Sequence, residues 1–154
     1  MRSLAWRRAV KSGDSWFEFA RSLAVSFFAP EWLSFDEEAL SVRVGPFQLS
    51  IRKTEQCKIA FSSSSHSVDL SHLQLATRCN EFDDDHGVDR VALCLITDKK
   101  SLTMHPPAQW EMGQFGNDLR FTFNSYFVGA LACYLSMLIA YREDTRNQEA
   151  LPTT

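Results

Sequence analysis

The chain reads as an α+β fold, and three stretches of its sequence predict this. An N-terminal run places apolar residues at helical spacing, the middle alternates apolar and polar residues with period two, and a long uncharged run lies near the C-terminus. The expected architecture is an N-terminal amphipathic helix, an antiparallel β-sheet of about six strands, and a long apolar C-terminal helix packed on that sheet. The length of 154 residues suits one domain, so residues 1–154 are taken as a single α+β domain with a basic segment at 1–13 and a frayed tail at 148–154. Hydrophobic residues make up 45% and charged residues 23%, enough to build a core without metal or disulfides. Twelve phenylalanines and four tryptophans predict an aromatic core, with some rings left over for a surface.

The first helix begins at Ser15-Trp16-Phe17-Glu18, a capping box in which Ser and Glu satisfy backbone N–H groups of the first turn. Trp16, Ala20, Leu23 and Phe27 follow at spacings of three and four, and Phe17, Ala24 and Phe28 widen the apolar face. Pro30 ends the helix by pushing its predecessor out of helical geometry.

After the connector 31–38 the period changes. Leu40, Val42 and Val44 alternate with Ser41 and Arg43, Gly45-Pro46 turns the chain, and Phe47, Leu49 and Ile51 alternate with Gln48, Ser50 and Arg52. This is a β-hairpin with one face inward. A short strand is predicted over Lys58–Phe61, a loop over Ser62–Ser65, a strand over Val68–Thr77, and an acidic loop over Glu81–Gly87. Arg90–Thr97 reads as a buried strand because its apolar run is continuous. Ser101–His105 follows it, and Trp110–Met112 with Leu119–Phe123 are expected to form a last hairpin.

From Tyr126 to Tyr141 no residue carries a charge. A helix of that length spans about 24 Å, short of the roughly 30 Å of a bilayer core, so a buried helix is expected rather than a membrane span. Asn124 or Ser125 is its expected cap. Gly129, Ala132, Ser136 and Ala140 form a seam of small side chains that lets another backbone, sheet or helix, approach closely. The chain's own N-terminal helix or a second copy is expected to cover the remainder.

The net charge of −3 argues against a nucleic-acid-binding surface, except locally at Arg2, Arg7, Arg8 and Lys11. None of the four cysteines forms a C-x-x-C pair, and Cys94 and Cys133 lie in apolar runs. Both are read as reduced core residues, which points to a cytoplasmic location. Cys57, His66, His72 and Cys79 lack the close ligand pair of structural zinc sites, and neither a metal nor a cofactor is predicted. Asp98-Lys99-Lys100, downstream of the Asp83–Asp85 cluster, resembles the D-x-K element of metal-dependent nucleases, although the middle position there is normally apolar and here is Lys99. His105, a possible general base, has no partner identifiable from sequence.

With no catalytic constellation and a surplus of aromatics, the expected function is a small non-enzymatic protein-binding module. An inhibitor, an immunity-type factor or an accessory subunit would fit, acting by surface complementarity. Its candidate contacts are Trp6, Arg7, Arg8, Trp32, Phe35, Asp83, Asp84, Asp85, Trp110 and Phe115. The partner would be another protein, or a second copy in a homodimer; a membrane is not expected. Two alternatives are a metal-dependent phosphodiesterase or nuclease built on the Asp cluster and the D-x-K turn, and a helix-grip domain that encloses an apolar ligand.

Overall fold

A computed structural model describes residues 16–61, 64–84, 88–106 and 117–150. Helix α1 spans Trp16–Phe27 and carries Glu18 in its first turn. A short 3-10 turn at Pro30–Trp32 leads into a five-stranded antiparallel sheet in the order β1-β2-β3-β4-β5. Its strands are β1 Leu33–Phe35, β2 Ala39–Val44, β3 Phe47–Arg52, β4 Gln56–Phe61 and β5 Ser64–Asp69. A second 3-10 turn, Leu70–His72, opens a three-stranded antiparallel sheet of β6 Leu73–Asp83, β7 Val88–Thr97 and β8 Ser101–Met104. Helix α2, Asn117–Ala150, closes the chain.

The predicted hairpin is present in its predicted register, with Val44 opposite Phe47 and Leu40 opposite Ile51. Gly45 sits at φ 54°, a left-handed conformation that a tight hairpin demands and glycine adopts without a Cβ clash. Antiparallel pairing stacks the inward residues in columns across the sheet: Val42, Leu49 and Ile59 in one, Leu40, Ile51, Cys57 and Val68 in the next. All are buried, so the alternation read from sequence has become one continuous apolar face.

Helices α1 and α2 pack on that face and on each other. Phe19 stacks on Tyr141 with ring centroids 4.3 Å apart, Phe28 meets Tyr134 at 5.4 Å, and Phe47 meets Phe127 edge-on at 4.8 Å. As numbers rise along α1 they fall along α2, so the helices run antiparallel. The Tyr134 hydroxyl donates to the Ala20 carbonyl at 2.8 Å, which settles the one polar atom of a ring that is fully buried. Among the described residues, most of the aromatic rings lie in the core or against it.

The seam of small residues on α2 meets a sheet, one of the two expected alternatives. A Cβ added at Gly129 would lie 3.9 Å from the Arg78 side chain, and the Ser136 hydroxyl donates to the Ala76 carbonyl of β6 at 2.9 Å. Stretch Asn124–Thr145 is long and apolar enough to cross a membrane by length and composition, and half of it is buried inside the protein. Arg142, the first charge after the apolar run, is itself buried. It forms an ion pair with Glu55 at 2.7 Å, donates to the Leu70 carbonyl, and lies over the Trp16 ring. Every one of its contacts joins α2 to a different segment.

Six expectations need correction. Ser64 and Ser65 open strand β5 and do not belong to the expected Ser62–Ser65 loop. Leu119–Phe123 belong to α2 and not to a hairpin strand, because five residues of alternation fit either element and nothing between Leu119 and Tyr141 breaks a helix; Trp110–Met112 lie outside the described residues. Asn124 and Ser125 are therefore inside the helix instead of capping it. The stretch 68–77 is two strands joined by the Leu70–His72 turn, capped by the Asp69 carboxylate accepting from the Ser71 N–H. The acidic loop is shorter than expected, since β6 continues through Asp83. Cys94 is half-buried and disulfide-bonded to Cys79, and Cys133 is exposed. The continuous apolar run of β7 hid an alternation in which Leu93 and Leu95 face the core and Cys94 faces away.

Candidate functional site

Strands β6 and β7 are far longer than β8. The third strand pairs only with Leu93–Ile96 of β7, whereas β6 and β7 stay paired as far as Asp83 and Val88. Among the described residues, Cys79–Asp83 and Val88–Ala92 therefore form a two-stranded ribbon beyond the end of β8. A ribbon of two strands is marginal in water without support.

Two links supply that support at its root. The Cys79–Cys94 disulfide joins β6 to β7 where β8 ends, with Cα atoms 6.6 Å apart. On the same face, two residues along, Glu81 holds the His105 imidazole at 2.8 Å from Nε2, tying the ribbon to the end of β8. His105 thus has a partner that no sequence motif announced. The Cys79 sulfur, two residues from Glu81 on the same face, is committed to the disulfide. Val91 on the opposite face and Ala92 on the disulfide's own face are both buried, so the root is anchored. Toward the tip exposure rises: Phe82 is 62% exposed, and Glu81 and Asp84 beside it are exposed too. A large apolar ring open to water near the ribbon tip is its most unusual surface feature.

A second polar cluster lies at the opposite end of the same hairpin. His72 Nδ1 is 2.8 Å from the Asp98 carboxylate and its Nε2 is 3.9 Å from that of Asp69. The Ser71 hydroxyl donates to Asp69 at 2.6 Å. The hydrogen bond from His72 holds the Asp98 carboxyl below its ordinary value, and that from Ser71 does the same for Asp69. A polar cleft of about 210 Å³ lies beside them, lined by Ser71, His72, Asp98, Arg142 and Glu143. Ser71 points to Asp69 and not to His72, so the three residues do not make a nucleophile–base relay. Their hydrogen bonds instead fasten the turn between the sheets to the turn between β7 and β8, assisted by the backbone bond from Asp98 N to His72 O at 3.2 Å.

The candidate residues fall as follows. Asp83 ends β6 and Asp84 is exposed at the ribbon tip. Phe35 is partly exposed beneath the Arg21 guanidinium, 5.5 Å from its ring centroid. Trp32 is half-buried with its ring edge on Phe127, packing that accounts for it without a partner. Trp6, Arg7, Arg8, Asp85, Trp110 and Phe115 lie outside the described residues. Asp98 and the Asp83–Asp84 pair sit at opposite ends of β7, about 30 Å apart at the usual rise per strand residue, so they cannot share one metal ion. Cys57 is in the core and Cys79 in the disulfide, and they do not converge with His66 and His72; no cluster of three metal-binding side chains occurs among the described residues. The middle of the groove that a helix-grip ligand would need is filled by Phe127, Leu131, Tyr134 and Leu138.

Sequence reasoning missed Phe82, Leu75, Ile96 and Tyr126, all exposed. Phe82 was concealed within an acidic run; its signal is the lone aromatic between Glu81 and Asp83. No protein-family model, curated protein or solved structure matches this chain, so any functional reading rests on these surfaces.

Proposed function

We propose that the protein is a non-enzymatic binding module whose recognition element is the stapled β6–β7 ribbon. The observation that carries this reading is Phe82, 62% exposed near the ribbon tip, where Asp84 is exposed as well. An apolar ring buries area on binding, while a nearby acid steers and selects a basic surface. The partner class is thus a protein with an apolar pocket rimmed by Lys or Arg. Holding the ribbon by a disulfide and the Glu81–His105 pair lowers the entropy lost on docking.

The test is capture from the native host with wild-type protein, with Phe82→Ala, and with the charge reversal Asp84→Lys. A specific partner retained by wild type and lost by both variants, with circular dichroism unchanged, is the expected result. Retention unaffected by either variant, or no partner at all, sinks the reading.

A further inference from the structure

Among the described residues, one stripe of helix α2 is open or only half covered, and its spacing is regular. Tyr126, Ala130, Cys133, Met137 and Ala140 are separated by four, three, four and three residues. Tyr126 is 75% exposed, Cys133 and Ala140 are exposed, and Ala130 and Met137 are half-exposed. The opposite side of the helix, from Val128 and Leu131 to Leu135 and Leu138, is buried. Spacings that alternate four and three make a heptad seam, the pattern by which one helix packs along another. Small side chains at Ala130, Cys133 and Ala140 let a second backbone come close, and no charge interrupts the seam before Glu143 and Asp144.

We propose that this seam pairs with the same seam of a second copy, antiparallel, about a two-fold axis at Cys133. Two features of the surface select a copy of itself over another occupant. Tyr126 lies seven residues before Cys133 and Ala140 seven after, so reversal about Cys133 lays the Tyr126 ring of each copy on the small Ala140 of the other. The charges of the surface are complementary under the same operation. On the flank facing β6, Arg78 lies at the N-terminal end, bonded to the Ser125 hydroxyl at 2.6 Å and against Gly129. On the same flank Glu143 lies at the C-terminal end, where it borders the groove of about 450 Å³ between β6 and α2 with Leu75, Ser136 and Ala140. A two-fold axis across the helix keeps that flank on the same side and exchanges its ends. Arg78 of each copy then faces Glu143 of the other, and the exposed Leu75 borders the same interface. An isologous contact of this kind closes at two subunits. It does not use the ribbon and stands whether or not Phe82 binds a partner.

The experiment uses the full chain. Sedimentation at concentrations from about 1 to about 100 µM reads the association, and a disulfide trap reads its geometry. With diamide as oxidant, two facing Cys133 thiols give up two electrons and two protons and join as an intermolecular disulfide, the diamide being reduced to its hydrazine. Cys57 does not compete, because it is buried in the core. The expected results are a concentration-dependent dimer, rapid trapping that Cys133→Ser abolishes, and slowed trapping in Ala140→Glu, which retains Cys133. Arg78→Glu alone and Glu143→Arg alone each weaken the dimer several-fold, and the double exchange Arg78→Glu/Glu143→Arg restores it. A monomer throughout the range overturns the proposal, as does a dimer indifferent to the charge reversals. Adsorption of the monomer to phosphatidylcholine vesicles through this face, abolished by Ala140→Glu, likewise overturns it in favour of a lipid surface.

Discussion

The two sheets of this protein are held by different physics. In the five-stranded sheet the inward columns are apolar across β2, β3 and β4, and aromatic rings of α1 and α2 close over them. In the three-stranded sheet the root packs on α2, but the ends of the hairpin depend on particular links: the Cys79–Cys94 disulfide, Glu81 with His105, His72 with Asp98, and Arg78 with Ser125. Burial of area is forgiving of small changes and strong in sum, whereas a covalent or polar link acts at one point. The first sheet is therefore built as a rigid floor, and the second as an arm held in place by staples.

The sharpest way to break this comparison is to remove one phenylalanine from each region. Phe47 is fully buried, between Phe61 at 5.0 Å and Phe127 at 4.8 Å, and Phe47→Ala is expected to lower stability by about 3–5 kcal/mol. Phe82→Ala at the exposed ribbon is expected to change it by less than about 0.5 kcal/mol. Chemical denaturation measures both, and similar losses would mean that the two regions are not held differently.

A smaller effect is expected from the disulfide. Replacing both cysteines in Cys79→Ser/Cys94→Ser releases a loop closed over a sequence separation of 15, worth about 3 kcal/mol in the chain-entropy view. Amide hydrogen exchange should quicken first in Cys79–Asp83 and Val88–Ala92, with β2 and β3 unchanged. Uniform acceleration across both sheets would show that the ribbon unfolds only with the whole.

The smallest effect concerns pH. Asp98 and Asp69 are both held below the ordinary carboxyl value of 3.8. A depressed folded value means that the stabilisation is present above that ordinary value and is lost as pH falls through the folded one. Stability should hold above about pH 4 and decline below it, and Asp98→Asn should flatten part of that decline. Asp98 is exposed and Asp69 half-exposed, so screening keeps the effect modest. A thermal-midpoint profile identical in the two proteins below pH 4 would remove Asp98 from the account.

Legibility followed the same division. The Leu40–Ile51 hairpin could be read to the residue because one of its faces is buried along its whole length, and alternation reports burial directly. The ribbon could not. Its strand β6 mixes Thr77, Arg78, Asn80 and Glu81, since neither face of a projecting ribbon has to be apolar throughout, so period and composition gave no strand signal. Cys94 misled for a related reason: an apolar run that touches the core on alternate residues resembles one buried on both sides.

The sequence alone determined the order of helix, sheet and helix, the inward face of the first sheet, and the presence of a small-residue seam on α2. Each is a local pattern whose period reports which side loses water. Tertiary structure decided what has no local signature: the division into two sheets, the meeting of Cys79 with Cys94 and of His105 with Glu81, and the burial of Arg142 on Glu55. It also decided which stripe of α2 stays in water. Periodicity names the faces of an element, but only the packed chain determines which face is left without a neighbour.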